Sequence, residues 1–228
     1  VRELAQRHRS ALVAVFERCD SDAPYRVDRA SIDRRRLANA VLRYLAALGD
    51  PDWTQRIARQ FECADNMTQR QAALRLLVDL PGPERDAALS GFYEAWRTDP
   101  LMLDKWFHVQ ALSILPDTCD RVLALAQHPD FSFANPNRVR ALVAAFAAGN
   151  QLRFHGADGR GYAFLADAVL VLDPLNPQLA ARLTGSLNHW RRFDAGRRER
   201  MRAQLERIAA RPGLSKDVYE ITARALGR

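Results

Sequence analysis

Apolar residues recur along this chain at helical spacing, and no stretch alternates as a half-buried strand does. Leu37, Val41, Leu45 and Leu48 fall at i, i+4, i+8 and i+11 and predict one apolar stripe on one helix. Leu74, Leu77 and Val78 repeat the pattern, as do Met201, Leu205 and Ile208. One neighbour buries only part of such a stripe, so these helices must stack against several others.

Polar punctuation marks where the helices begin. Asp50-Pro51, Asp99-Pro100, Asn135-Pro136 and Asn176-Pro177 each place a side-chain acceptor at the N-cap and proline at the first helical position. Proline suits that position because its missing N–H would have no intrahelical partner and its φ is already helical. Gly82-Pro83-Glu84 is a variant with an acid where the helix dipole favours one, and Asn66 with Gln69 has the spacing of a capping box. The reading gives helices over roughly 2–19, 31–48, 51–64, 67–80, 83–97, 100–114, 117–127, 136–148, 161–172, 177–191, 195–210 and 215–226. The segment from Gly149 to Arg160 is read as an ordered surface loop.

The four Asx-Pro starts are 49, 36 and 41 residues apart, near the period of roughly 40–47 residues of two-helix HEAT or armadillo units. The intervening sequences are not alike. The expected fold is all-α, an irregular superhelix (α-solenoid) of paired antiparallel helices, with residues 1–228 as a single domain.

Composition narrows the class. The 228 residues are 48 % hydrophobic and 27 % charged, enough for a core and unlike a disordered tail. The longest small-or-apolar run, Ala141 to Gly149, falls well short of the roughly 18 residues of a membrane span. Cys19, Cys63 and Cys119 are odd in number and widely spaced, so reduced thiols are expected rather than a secreted disulfide framework. No leader pattern is read at the start. The chain opens on Val1 inside a helical pattern, which reads as a fragment. The net charge of +7 comes almost wholly from arginine. Those arginines sit beside acids, as in Arg197-Arg198-Glu199-Arg200, which favours a solvated surface over a nucleic-acid footprint.

Autonomous chemistry is not found in the pattern. His8, His108, His128, His155 and His189 are solitary, and no cysteine has a partner at metal-ligand spacing. Phosphate-loop and nucleophile-elbow motifs are missing. Gly159-Arg160-Gly161 lacks the preceding strand and third glycine of a dinucleotide site, and Asp158-Gly159 lacks the other oxygen ligands of a calcium loop. Cys63 is expected to be buried packing, His155 to stabilise a turn, and Arg34-Arg35-Arg36 to be a wet helix start. Trp96, Trp106, Phe107 and Trp190 are expected at helix–helix contacts.

Longer segments carry a resemblance. Asp65-Asn66-Met67-Thr68, the run from Asp99 to Phe107, Asn135-Pro136-Asn137-Arg138-Val139-Arg140, the loop from Phe154 to Tyr162, Asn176-Pro177-Gln178 and Leu214-Ser215 resemble the C-terminal region of bacterial aminopeptidase N. This is the alanyl aminopeptidase branch of the M1 zinc metallopeptidases. The resemblance runs from about residue 35 to the end, and the first 30 residues match less well. It implies a cytoplasmic parent enzyme that removes N-terminal amino acids from peptides. Zinc would be held by H-E-x-x-H and a downstream Glu on an upstream domain, with a G-x-M-E-N type motif for the peptide amino group. None of these occurs here, so the fragment would need no cofactor and hydrolyse nothing alone. Its partners would be the catalytic domain of the same polypeptide and peptide substrates, with neither nucleic acid nor membrane. By motif, two arginines of the substrate cavity wall correspond to Arg140 and Arg182, and Gln178 is a further candidate there. Each arginine follows an Asn-Pro start, where the dipole opposes a cation and its fork would suit a peptide carboxylate. Bridging to a neighbouring helix or facing solvent is the alternative role. For the whole chain, the alternatives are a basic solenoid binding nucleic acid and a protein-binding scaffold.

Overall fold

In the computed structural model, which describes residues 1–20 and 24–228, all four Asx-Pro pairs start helices as their chemistry requires. Asp50 accepts from the backbone N–H of Asp52, and Asp99 from those of Leu101 and Met102. Asn135 accepts from Asn137 and Arg138, and Asn176 from Leu179. Asn66 likewise accepts from the Gln69 N–H at 3.0 Å. Gly82 has no side chain to offer, and its helix starts uncapped.

The described residues hold helices and turns and no strand. They divide into two compact units, Val1–Arg97 and Thr98–Arg228. The first contains α1 (Arg2–Arg7), α2 (Arg9–Cys19), α3 (Arg29–Ala46), α4 (Pro51–Cys63), α5 (Met67–Leu77) and α6 (Pro83–Trp96). Here α2 packs on α3 and α4 on α5, with α6 against both α4 and α5. The core is Phe16, Leu42, Leu45, Ile57, Leu74, Leu77 and Phe92.

The second unit contains α7 (Pro100–Ala111), α8 (Thr118–Leu125) and α9 (Pro136–Val139), the last running into a π-helix over Arg140–Gly149. After it come α10 (Gln151–Phe154), α11 (Arg160–Leu172), α12 (Pro177–Thr184), α13 (Ala195–Ala209) and α14 (Lys216–Leu226). The π-helix packs on α7, α11 lies against α12 and α13, and α14 closes on α12 and α13. Fully buried Phe107, Leu142, Phe146, Phe154, Tyr162, Leu165 and Met201 fill this core. Trp106 and Trp190 are buried as expected of helix-contact aromatics, and Trp190 donates its indole N–H to the Ala225 carbonyl at 3.0 Å.

Several sequence expectations are corrected. Leu37 is 48 % exposed, and the buried stripe of α3 is Ala38, Val41, Leu42, Leu45 and Ala46, rotated off the predicted line by what packs on it. Cys63 is exposed rather than buried. It lies six residues after buried Ile57, about 240° around the helix and away from the core face. The helix predicted over 2–19 breaks at His8, whose φ of −114° and ψ of 20° leave the helical region. The helix predicted to end at 191 stops at Thr184, whose hydroxyl donates back to the Ala180 carbonyl, and short 3₁₀ turns follow. The loop before Arg160 contains α10, capped by Asn150. Two glycines shape the junction of that loop with α11. Gly159 has a φ of 74° at the N-cap of α11, and a Cβ on Gly161 would stand 2.5 Å from the Phe154 carbonyl oxygen.

Candidate functional site

Arg140 opens the π-helix and is exposed. Its Nη1 donates to the Asn137 side-chain oxygen at 2.9 Å, so the guanidinium is held one turn back and still presents its other N–H groups to solvent. Arg182 and Gln178 lie four residues apart on α12, on one exposed face. Among the described residues Arg182 makes no hydrogen bond or ion pair. It sits in the last turn of an eight-residue helix rather than near its start. The dipole argument from sequence therefore fails for Arg182: the end of α12 attracts its cation, because that helix stops early at Thr184. Arg140 belongs to a separate element, and its hydrogen bond goes to neither α12 side chain.

The residue that sequence reasoning missed is Arg138. Two positions before Arg140, it points the opposite way and is 4 % exposed. Its Nε meets Asp104 Oδ1 at 2.6 Å, its Nη1 donates to the Asp130 carbonyl at 2.6 Å, and its guanidinium lies 5.0 Å from the centre of the Phe107 ring. A signal was present. Arg138, Leu142, Ala145 and Phe146 occupy i, i+4, i+7 and i+8, so an arginine stands in a core stripe and demands a buried partner.

A second polar group ties the loop to α13. His155 Nδ1 lies 3.0 Å from the Tyr162 hydroxyl, and the imidazole stacks on Phe193 at 4.3 Å between ring centres. Arg197 donates to the His155 carbonyl at 2.7 Å and pairs with Asp194 at 2.7 Å. This is the turn-stabilising role expected of His155. Burial, helped by the Arg197 charge, lowers its pKa below the ordinary histidine value, and burial pushes the Tyr162 phenol up to about 12. Both rings are neutral at neutral pH.

Part of the basic surface is tied up in ion pairs. A groove of about 490 Å³ between α2 and α4 is lined by Arg9, Arg56 and Arg59 but also by Glu17 and Asp52. Arg9 is bound to Asp50, and Arg56 to Asp20. Among the described residues no three His, Cys, Asp or Glu side chains form a group able to hold a metal ion. The donor set of the described residues therefore does not fit a zinc centre.

A family model described as a domain of unknown function (DUF3458_C) with ARM repeats matches residues 1–227. The chain belongs to the DUF3458_C family. This DUF3458_C chain is 49 % identical over 200 residues to aminopeptidase N of Caulobacter vibrioides, a match covering 88 % of the chain and 23 % of that protein. It is 39 % identical over 226 residues to aminopeptidase N of Escherichia coli, covering 99 % of the chain and 26 % of the relative. A crystal structure of Legionella pneumophila aminopeptidase A in complex with aspartic acid superposes with a TM-score of 0.89 at 32 % identity. That match covers 99 % of this chain and 27 % of the other. The DUF3458_C chain thus spans about a quarter of the length of the relatives it matches. The ARM-repeat description agrees with the all-α solenoid read from the sequence, and the likeness to the C-terminal helical domain of bacterial aminopeptidase N is borne out.

Proposed function

We propose that residues 1–228 act as one C-terminal domain of a cytoplasmic zinc aminopeptidase of the M1 type, lining the substrate cavity above a catalytic domain in the same polypeptide. The observation that carries this reading is similarity to aminopeptidase N along nearly the whole chain, over only a quarter of those proteins. The zinc and the groups that cleave the peptide bond would belong to the remaining three quarters. The three free thiols accord with a reducing compartment.

In this reading Arg140, Arg182 and Gln178 form parts of the cavity wall. Arg140 is exposed and only singly hydrogen-bonded, and Arg182 is exposed with no hydrogen bond or ion pair among the described residues, so both guanidinium forks are open to a peptide carboxylate. Such contacts act far from the scissile bond and would set binding more than turnover. In the full-length enzyme, Arg140→Ala and Arg182→Ala should each raise KM for tetrapeptides by roughly 3–10-fold, the worth of a partly exposed charged hydrogen bond. Steady-state kinetics on peptides of two to six residues checks this. Unchanged KM for every length would remove both residues from the wall.

A further inference from the structure

The π-helix has a mechanical reason to exist, and that reason concerns Arg140. At one end Arg138 is fixed to Asp104, near the start of α7. At the other, the Asn150 side chain donates to the carbonyls of Ala111 at 2.9 Å and Ser113 at 2.8 Å, where α7 ends. The segment therefore runs beside α7 in the same sense and is pinned at both ends. Twelve residue steps between the pins would span about 18 Å as an α-helix. The corresponding anchors on α7 are only about 10–13 Å apart along its axis. The hydrogen-bonded ring of a π-helix takes in one more residue, giving a wider and shorter coil that takes up part of the difference. The six buried apolar residues of the segment, from Ala141 to Ala147, hold that coil against α7.

Arg140 stands at the pinned end, two residues from Arg138 and about 200° around the helix from it. We propose that Arg138 is a positioning residue for peptide recognition: clamped to α7 through Asp104 and the Asp130 carbonyl, it fixes the height and outward aim of Arg140 on the cavity wall. This rests on the cavity-wall reading above. With the clamp loosened, the coil relaxes toward α-helical rise and Arg140 slides along the wall by several ångströms. A carboxylate-binding fork does not tolerate that displacement.

The test uses the full-length enzyme with one tetrapeptide in two forms, free carboxylate and carboxamide, and reads the ratio of their kcat/KM values. Arg138→Lys keeps the charge and loses the forked geometry. Asp104→Asn keeps an acceptor for Nε and loses the charge, so a folded variant is available if the lysine variant does not fold. Each should shrink the preference for the free carboxylate about 5-fold. Arg140→Ala should shrink it as far, and Arg138→Lys combined with Arg140→Ala no further, because both changes act through one fork. Equal losses on both peptides would make Arg138 merely structural and overturn the proposal. An intact preference in Arg138→Lys and Asp104→Asn, with a lost one in Arg140→Ala, would overturn it while sparing the cavity-wall reading. An intact preference in Arg140→Ala would remove both.

Discussion

His155 shows how a single side chain links local chemistry to stability. Its ring is packed between Phe154, Tyr162 and Phe193, with Arg197 close by, and these surroundings favour the neutral imidazole. Because the folded pKa lies below the unfolded one, the unfolded chain binds the extra proton first as pH falls. The contribution to stability is complete above the unfolded value of about 6.5 and is lost as pH drops toward the folded value. The midpoint of thermal unfolding, followed by circular dichroism between pH 8 and 5, should fall on the acid side. His155→Gln, which keeps hydrogen-bonding capacity without titrating, should flatten that fall; an identical profile would exclude His155 as its source.

At the scale of elements, close approach rather than propensity governs the loop that leads into α11. Gly161 lies in the first turn of α11, and its Cα faces the backbone of Phe154. Gly161→Ala would lower the entropy of the unfolded chain, worth up to about 1 kcal/mol in favour of folding. It would also place a methyl 2.5 Å from the Phe154 carbonyl, which backbone cannot vacate cheaply. Overpacking prevails, and we expect a net loss of about 1–3 kcal/mol in urea unfolding. Helix starts were legible in the sequence because an Asx side chain and the N–H groups it caps are two or three residues apart. The rotational phase of α3 was misread at Leu37, and Cys63 was misplaced, because phase is set by which neighbours pack on a helix. The π winding was illegible for a related reason: it follows from the distance between two anchors on α7. Arg182 and Arg140 came from a resemblance, whereas Arg138 was visible in the stripe it shares with Leu142 and Phe146.

For the whole molecule, the net charge of +7 comes from arginines interleaved with acids along the chain rather than gathered in one run. Arginine–aspartate pairs join neighbouring helices, as Arg160 does with Asp120 and Arg207 with Asp167. Nucleic-acid binding through released counterions needs many unneutralised guanidinium groups along one track. We therefore expect fluorescence anisotropy with a 20-nucleotide single strand to show Kd weaker than about 10 µM at 150 mM salt, with a shallow salt slope. Tight binding that falls by orders of magnitude between 50 and 200 mM salt would reinstate a nucleic-acid role. The coil between Arg140 and Gly149 has a last consequence, for engineers. A helical wheel drawn at the usual angular step loses register across those ten residues. Any graft or surface redesign there must be re-phased from Asn150 rather than extrapolated from Pro136.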